Sequence, residues 1–575
     1  MVATEVRWEE ELNVENPSAA PSREHSSYER AVVSSALWAA AGDALGWMTE
    51  LSRGESGVAH RTGSKTVSRP VDWQRMIGGR GGPRVDLPAG TYSDDTQLRL
   101  AVSRAIRGDG EFDVEAFAKV EVTVWPSYAL GGGLGTKAAA SNLTRRSVNW
   151  FSNFFDSNGQ QYISGGGNGA AMRIQPHVWA ASSKSEGMLA SVLRDALVTH
   201  GHPHGFCGAI FHALCIAHAL EHSAPPEPSD WMAFIDSLGD VPRLISMDSQ
   251  LAAFWQSAWE NSSGRTITSA VQIMQQEARE DVQNICEELI GNPVEAYRLA
   301  LERTGCLTPR FRGSGFKTAL VAAALGWLFR DGSIEDALVL AANQLESDTD
   351  TIATMAGALL GCINPSDPNW EIQDRAYIMQ EAKRLAAISA GRPQDSFAYP
   401  DLGRWSPPTR QTASVGLNGK GLALAGLGSL NPVGAEYAVG DAAWQWFALP
   451  FGQTILAKRK AIVKEKIAGS QLPGEKQIAA PQKPPVSATG GQANLFEEGR
   501  PEEQLSRERL EAPLRSPMSG LDYWTDVVIQ HEFDEMILGR VFNRLLEETH
   551  SVDTAVAFAA IIAKAKLARE RRKRS

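Results

Sequence analysis

Cysteine is scarce in this sequence. Five cysteines occur among 575 residues, and none has the CxxC spacing of a thiolate metal site or a redox pair. Their odd number also argues against a disulfide framework of the kind that holds small secreted domains together. The sequence therefore predicts a protein of a reducing compartment, and we expect it to be cytoplasmic.

Long hydrophobic runs are missing as well. The longest, at 319–329 and 352–363, are too short to cross a bilayer and are typical of buried helices. The first 26 residues are acidic and contain no basic segment followed by an apolar stretch, so they predict a flexible leader rather than a secretory signal. We expect no association with membranes.

Positive charge is in deficit. Lys and Arg number 56 against 67 Asp and Glu, which gives a net charge of −11 and no overall attraction to nucleic acid or anionic lipid. The C-terminal segment 564–575 is the exception, because seven of its residues are Lys or Arg. It is typical of a solvated helix end, and a tail that binds a partner or nucleic acid is the alternative.

Helix-forming patterns dominate what is present. Hydrophobic residues make up 43% of the chain and charged residues 21%, as in ordinary folded proteins. From residue 93 to about 390, Ala- and Leu-rich stretches repeat apolar residues at three- and four-residue spacing, and few segments alternate like strands. The pattern predicts an all-α fold.

Breaks in this pattern divide the chain. Glycines and prolines predict a long loop between 51 and 92, and the composition of 469–518, rich in Pro, Gly, Gln and Ser, is typical of a linker. Residues 441–468 could form one or two helices. The predicted organisation is a leader at 1–26, a large helical domain at 27–400, an irregular or helical extension at 401–468, the linker at 469–518, and a C-terminal helical hairpin with the basic tail at 519–575.

Two acidic segments have the same chemistry. SDDT at 93–96 and DTDT at 348–351 each open an apolar helix. Either alone is an ordinary capped helix start, but together their carboxylates and hydroxyls could converge as hard oxygen ligands. Ligation by oxygen alone favours Mg²⁺ or Mn²⁺ over zinc, and the chain has no HExxH motif. The two segments therefore predict a site for two divalent ions.

Two glycine-rich loops, GGGLG at 131–135 and SGGGNGAAMR at 164–173, could cradle phosphate oxygens with their backbone N–H groups. Residues 165–170 match GxGxxA, but no clear strand precedes them and Pro176 interrupts the helix that should follow. No segment completes a P-loop motif. The loops therefore predict phosphate binding outside a Rossmann or P-loop fold.

Three histidines, His200, His202 and His204, alternate along THGHPHG. Such a run could bind a transition metal if it were extended, but Pro203 and the flanking glycines favour a loop that leads into a helix near Phe206. A contact between one of these histidines and a substrate stays open.

In their order and spacing, several motifs resemble the ADP-ribosylglycohydrolase family, which includes dinitrogenase-reductase-activating glycohydrolases and ADP-ribosyl-acceptor hydrolases. The resemblance extends over residues 27–365. The matching motifs are GDALGWMTE at 42–50, YSDDTQL at 92–98, GGGLG at 131–135, GNGAAMR at 167–173, TH at 199–200 and ESDTDTIATMAGALLG at 346–361. At 346–347 this chain has Glu-Ser where the family usually has two glycines.

The resemblance implies an all-α ADP-ribosylglycohydrolase-like catalytic domain with a binuclear Mg²⁺ cleft, in which Mn²⁺ could replace Mg²⁺. By this resemblance, the metal ligands are Ser93, Asp94, Asp95, Asp348, Asp350 and Thr351. The ADP-ribose contacts are Gly131, Gly132, Gly133, Gly135, Gly167, Asn168 and Gly169, with His200 beside the ligand. The candidates for the general base or for positioning water are Glu50 and Asp94, and the sequence does not choose between them.

The function implied is hydrolysis of the N- or O-glycosidic bond between ADP-ribose and an acceptor, which reverses ADP-ribosylation. The acceptor could be a protein, a nucleic acid or a small molecule, and the C-terminal hairpin with its basic tail could bind a further partner. Two alternatives stay open: a catalytically silent sensor of ADP-ribose or an NAD-derived nucleotide, and a Mg²⁺-dependent phosphohydrolase of nucleotide diphosphates.

Overall fold

A computed structural model describes residues 23–474, except positions 80, 158 and 420, and then 521–549 with parts of 554–569. The chain divides into two compact units, Met1–Gln477 and Ile478–Ser575. Most of the predicted leader, most of the predicted linker and the end of the basic tail lie outside the described residues.

Helices make up most of the first unit, which confirms the all-α prediction for its main part. Several begin at a serine whose hydroxyl accepts a backbone hydrogen bond from the first turn, as at Ser93, Ser185, Ser314 and Ser333. The longer helices are Arg23–Trp47, Gly54–Thr62, Asp94–Ala105, Leu134–Leu143, Gln175–Trp179, Glu186–Thr199, Pro203–His222, Pro228–Ser237, Val241–Met247, Gln256–Ser263, Ile267–Cys286, Pro293–Arg303, Gly315–Leu328, Ile334–Ala342, Thr349–Ile363 and Arg375–Ser389.

The first helix, Arg23–Trp47, runs antiparallel to Thr349–Ile363 at unusually close range. A Cβ added at Gly42 would collide with the backbone of Ala353, and one added at Gly357 would collide with the backbone of Trp38. Glycine is therefore needed at these crossings, because only it lets the two backbones touch. The packing brings the C-terminal end of one helix to the N-terminal end of the other.

One helix, Pro203–His222, is long and apolar enough to cross a membrane by length and composition, but 89% of its apolar window is buried inside the protein. It packs against Gly315–Leu328, where the rings of Phe211 and Phe316 lie 5.1 Å apart. Burial in the core accounts for its composition.

The prediction of a long loop over 51–92 is wrong in part. The segment contains the helix Gly54–Thr62 and a hairpin that pairs Trp73–Met76 with Arg84–Leu87 in antiparallel register. Val85 and Leu87 are buried and alternate with exposed residues. Strands of four residues give too short an alternation to stand out between clusters of glycine.

The prediction that 401–468 is irregular or helical, with one or two helices in 441–468, is wrong for residues 415–460. These residues form strands. AAWQWFA at 442–448 is rich in aromatic residues, which favour strands, and a turn at 440–441 precedes it. Burial on both faces of a strand hides the alternation by which strands are recognised in a sequence. The strands are Val415–Asn418, Gly421–Leu424, Gly428–Ser429, Asn431–Val439, Ala442–Ala448 and Thr454–Lys460, and they form two antiparallel three-stranded sheets.

These sheets are built onto the helical part of the first unit. Trp444 and Leu456 belong to the main hydrophobic core. A second cluster joins Phe447 and Ile455 of the strands to Val124 and Trp125 of the helical part. The residues from 415 to 460 are therefore part of the same folded body as the helices.

Gln471 and Gly474, just beyond residue 468, form hydrogen bonds with the rest of the first unit. The carbonyl of Gln471 accepts a hydrogen bond from Gly426 N (2.8 Å), its side chain donates to Arg404 O (2.7 Å), and Gly474 N donates to Ala398 O (3.1 Å).

We therefore expect a chain ending at Gly474 to unfold at the same denaturant concentration as the first unit of the full chain. A chain ending at residue 468 should be less stable by about 1–3 kcal/mol, since each lost hydrogen bond contributes about 1 kcal/mol net. Denaturant titration followed by circular dichroism measures both. Equal stability of the two shortened chains would contradict the prediction.

The second unit contains the helices Leu521–Gln530 and Glu535–Thr549. They bury Trp524, Val528 and Val541, and the Trp524 indole Nε1 donates to Glu548 Oε2 (3.0 Å). The basic tail is described only in part, so the role predicted for it is not tested.

A carboxylate cluster as the candidate active site

The first acidic segment is held from two sides. The Ser93 hydroxyl accepts a hydrogen bond from Asp95 N (3.3 Å), as a helix N-cap does. The buried carboxylate of Asp43, from the first helix, accepts from Ser93 N and Thr96 N, both at 2.9 Å. Asp94 N donates to Leu130 O (2.9 Å), at the start of the first glycine-rich loop. These bonds fix the directions of Asp94 and Asp95.

The close crossing of Arg23–Trp47 and Thr349–Ile363 holds the second acidic segment, at the start of the latter helix, next to the end of the first helix. Thr349 Oγ1 donates to Gly46 O (2.9 Å), and Thr49 Oγ1 donates to Ala342 O (2.6 Å). Glu50, just after the first helix, therefore lies near Asp350 and its neighbours.

Five acidic side chains in this region influence one another, and we call them the carboxylate cluster: Glu50, Asp94, Asp95, Asp348 and Asp350. Burial, with the charges of Glu50 and Asp43, raises the pKa of Asp94 to about 8. Burial also raises the pKa of Asp95 and of Asp350, and neighbouring carboxylates of the cluster add to both shifts. Such a gathering of acids is unfavourable unless positive charge is supplied.

The cluster suits a hard divalent cation. Asp95 Oδ2 is buried and has no hydrogen-bond partner in the described structure, and a buried oxygen of this kind is costly unless a cation or donor meets it. The hydroxyl-bearing residues Ser93 and Thr351 are buried beside the acids. Oxygen donors of this kind are the ligands that Mg²⁺ and Mn²⁺ prefer.

No three His, Cys, Asp or Glu side chains among the described residues form a group that could hold a metal ion. Mg²⁺ needs fewer, because it keeps several of its waters and usually takes only one or two protein carboxylates. A Mg²⁺ site therefore does not require three of these side chains to meet at one point, and the identity of the ion stays a prediction.

The first glycine-rich loop touches the cluster directly. Gly131 has φ of 105° and Gly132 has φ of 92°, and a Cβ added at Gly131 would lie 2.6 Å from Asp94 Oδ1. Gly133 and Gly135 have open space around them at the start of the helix Leu134–Leu143. The loop leaves its backbone accessible next to a carboxylate.

The second loop meets the other side of the cluster. Asn168 Nδ2 donates to Asp348 Oδ2 (2.9 Å). A Cβ added at Gly169 would lie 2.9 Å from Thr136 Oγ1 and 3.1 Å from His200 Cε1. Thr136 belongs to the first turn of Leu134–Leu143, so the two glycine-rich loops are neighbours.

His200 is a neutral hydrogen-bonding group at physiological pH. Burial lowers its pKa to about 3, and its Nδ1 lies 2.7 Å from Thr199 Oγ1. The other two histidines of the run have different partners: His202 Nδ1 accepts from His204 N, and His204 lies within hydrogen-bond distance of Ser314 and Glu277. The three rings do not converge on one point.

Several groups that shape this site are not among the residues predicted from the sequence. Asp43 caps the helix of the first acidic segment, Arg75 forms an ion pair with Glu50 (3.0 Å), and Arg173 donates to Gly169 O (2.9 Å). A lone Asp within AAAGDALG at 39–46, the apolar C-terminal end of the first helix, is a usable signal for the first. Glu346, just before the second acidic segment, is exposed.

Two cavities adjoin the cluster. The larger, about 720 Å³, is lined by Gly167 and by Gly313, whose added Cβ would lie 3.6 Å from Asp348 Oδ2. The smaller, about 470 Å³, is lined by Glu50 and Gly131. One cavity thus reaches the Asp348 side of the cluster and the other reaches the Glu50 and Asp94 side.

Comparison with known proteins identifies the family. A family model described as ADP-ribosylglycohydrolase matches residues 24–393. ADP-ribosylhydrolase ARH3 of Xenopus tropicalis is 25% identical over 301 residues, which are 50% of this chain and 78% of that protein. ADP-ribosyl-[dinitrogen reductase] glycohydrolase of Rhodospirillum rubrum is 28% identical over 168 residues, 29% of this chain and half of that protein.

Among solved structures, one described as an ADP-ribosylglycohydrolase-related protein complex covers 63% of this chain and 99% of its own, with 19% identity and a TM-score of 0.37. The family model spans more than half of the sequence and includes the carboxylate cluster and both glycine-rich loops. The chain therefore belongs to the ADP-ribosylglycohydrolase family and is an enzyme of that family.

Proposed function

We propose that this protein is a Mg²⁺-dependent hydrolase that cleaves the N- or O-glycosidic bond between ADP-ribose and an acceptor. The observation that carries this proposal is the carboxylate cluster beside two cavities: Glu50 lines the smaller one, and Gly313 of the larger one lies next to Asp348. A bond held at the cluster would have one part of the substrate in each cavity.

The larger cavity suits the ADP-ribose part. Its volume of about 720 Å³ lies within the usual range for small-molecule sites, about 300–1,000 Å³. Gly167 brings backbone groups to it, and Arg265 and Arg310 also line it. Backbone N–H groups and guanidinium groups are the common partners of a diphosphate.

Ser93, Asp94, Asp95, Asp348, Asp350 and Thr351 are the residues that would hold the ions. When bound, Mg²⁺ would orient ribose hydroxyls and stabilise negative charge. The protein's own contribution is to exclude water from the buried part of the site and to keep one carboxylate facing the smaller cavity.

Glu50 is the favoured group to accept a proton from water. It lines the smaller cavity, from which water would reach the bond, whereas Asp94 is almost fully buried. The positive charge of Arg75 opposes the rise that burial imposes on the pKa of Glu50. Arg75 thereby favours the ionised form that a base requires.

A phosphohydrolase would use the same carboxylates, but its metals would usually bind the phosphates themselves. Here the second glycine-rich loop, which lines the larger cavity at Gly167, supplies a separate phosphate site and leaves the cluster for the ribose. A silent sensor would have no need of five clustered acids, whose mutual repulsion is costly.

The test is identification of the products by mass spectrometry after incubation with Mg²⁺ and a panel of acceptors ADP-ribosylated on arginine, serine or a nucleic-acid base. We expect intact ADP-ribose. Glu50→Gln should lower kcat by about 10²–10⁴-fold, the usual contribution of a general base, and should leave ADP-ribose binding by calorimetry unchanged.

Glu346→Gln is the matched control, since it makes the same change at an exposed acid near the cluster and should keep normal activity. Release of AMP and ribose phosphate would overturn the proposal in favour of a phosphohydrolase. Tight ADP-ribose binding without turnover on any acceptor would favour the sensor. A normal rate for Glu50→Gln would remove Glu50 from the mechanism.

A further inference from the structure

The smaller cavity has one wall that the helical domain does not supply. Glu50, Gly131 and Lys137 of the helical part line it, and Trp444 and Lys458 of the appended strands line it from the other side. Its volume is about 470 Å³, enough for several side chains of a ligand. The strand region therefore takes part in the candidate active site.

Packing and hydrogen bonds fix the position of the wall formed by Trp444 and Lys458. The indole of Trp444 lies against Gly78, where an added Cβ would be 2.7 Å from Trp444 Cζ2. Trp444 pairs with Lys458 on the next strand, and the Lys458 Nζ lies 4.9 Å from the centre of the Trp444 ring. Tyr437 OH donates to Asp86 Oδ2 (3.2 Å), which ties the sheet to the 73–87 hairpin. The position of the Lys458 ammonium group is thus set by packing and by a cation–π contact.

The charges that line the cavity are mainly positive. Arg75 is paired with Glu50, and Lys137 interacts electrostatically with Asp94 and Glu50. Lys458 forms no ion pair with any described residue. Lys458 Nζ donates instead to the neutral Gln411 Oε1 (3.2 Å). Lys458 is therefore the lining cation that has no carboxylate partner among the described residues. Its local positive field favours a negatively charged ligand.

We propose that this cavity binds the acceptor part of the substrate and that Lys458 selects polypeptide acceptors with an anionic side chain next to the ADP-ribosylated residue. The inference rests on the proposed function, because the cavity adjoins the carboxylate cluster at Glu50. A protein acceptor is favoured over nucleic acid, since one unpaired ammonium group does not make the extended basic track that a phosphate backbone requires.

The test uses the full-length protein and four peptides that carry ADP-ribose on the same residue and differ only in flanking Asp, phosphoserine, serine or Lys. The variants are Lys458→Glu, the milder Lys458→Gln, and Lys464→Glu as a control. Lys464 is exposed in the same region and does not line the cavity, so its substitution matches the change in net charge.

We expect Lys458→Glu to lower the ratio of kcat/KM for the Asp-flanked peptide to that for the Lys-flanked peptide by about tenfold. Lys458→Gln should have an intermediate effect, and Lys464→Glu should have none. The serine-flanked peptide should be cleaved equally by all four proteins. The Asp-flanked and phosphoserine-flanked peptides show whether a carboxylate or a phosphate is the preferred anion.

A binding measurement separates this inference from the proposed function. Fluorescence anisotropy of the labelled, unmodified Asp-flanked peptide should show a Kd about tenfold higher for Lys458→Glu than for Lys464→Glu. If no peptide is hydrolysed but this difference is present, the proposed function fails and the anion site stands. Equal effects of the two substitutions in both measurements would overturn the inference. So would a higher kcat/KM for an ADP-ribosylated oligonucleotide than for the acidic peptides.

Discussion

Asp95→Asn and Asp350→Asn should each abolish the stabilisation of the protein by Mg²⁺ and lower kcat by about a thousandfold, since a catalytic metal contributes several kcal/mol to the transition state. The wild-type protein should gain about 2.7 kcal/mol of unfolding free energy when free Mg²⁺ is 100 times its Kd. Neither variant should gain stability at the same concentration. Thermal unfolding with EDTA and with Mg²⁺ measures the difference.

The same substitutions should stabilise the protein when metal is absent. Asp95 and Asp350 are buried with other carboxylates that raise their pKa values, and Asp95 Oδ2 has no hydrogen-bond partner in the described structure. Asparagine has nearly the same volume and cannot ionise, so it removes the cost of an acid whose charged form is disfavoured by burial and by its neighbours. We expect a gain of about 1 kcal/mol in EDTA. A loss of stability in EDTA, with the Mg²⁺ effect intact, would show that these acids are structural.

The sequence predicted the acidic and glycine-rich parts of the site because their chemistry lies in short, local motifs. The segments around Ser93 and Asp348 each combine helix-capping residues with carboxylates, so both the local structure and the possible ligands can be inferred from the sequence. That the two segments meet depends on the glycine-mediated crossing of Arg23–Trp47 and Thr349–Ile363. No local pattern specifies such a crossing, and the family resemblance implied only that the two segments share a metal cleft.

Two features could not be predicted for physical reasons. The strands that carry Trp444 and Lys458 are largely buried on both faces, so their apolar run has no alternation to distinguish it from a helix. The role of Arg173 depends on partners more than 20 residues away along the chain. Such pairings become visible only when the helices are placed in space.

Arg173 connects the second glycine-rich loop to the interior. Its guanidinium group donates to Gly169 O (2.9 Å), to Thr199 Oγ1 (2.9 Å) and to Asp195 Oδ1 (2.8 Å). The Asp195 carboxylate also lies 3.0 Å from His177 Nε2. Thr199 in turn contacts His200, so one buried ion pair positions both the loop and the histidine beside it.

Asp195→Asn should destabilise the protein by about 3–5 kcal/mol, because it leaves the buried guanidinium group of Arg173 without its counter-ion. This loss in EDTA is opposite in sign to the gain expected for Asp95→Asn, although both substitutions remove one buried carboxylate. Chemical denaturation of the two variants side by side distinguishes an acid that has a cationic partner from one that lacks it. Destabilisation of less than 1 kcal/mol for Asp195→Asn would contradict this role.

The pH dependence of the unfolding free energy tests independently whether the ionised Asp195 carboxylate stabilises the protein. Burial alone would raise the pKa of Asp195, but Arg173 and the hydrogen bond with His177 hold it below its usual value. A carboxyl group whose pKa is lower in the folded state stabilises the protein above its unfolded-state pKa, and this contribution is lost as the pH falls through the folded-state value. The wild-type protein should therefore lose more stability on acidification than Asp195→Asn does.

A double variant separates stability from the positioning of the loop. Arg173→Met combined with Asp195→Leu replaces the ion pair by apolar side chains, and such exchanges usually recover stability. It should regain most of the unfolding free energy lost in Asp195→Asn. The carbonyl of Gly169 would still lack its donor, so the affinity for ADP-ribose, measured by calorimetry, should stay reduced. Recovery of both stability and affinity would show that Arg173 has no role in positioning the glycine-rich loop.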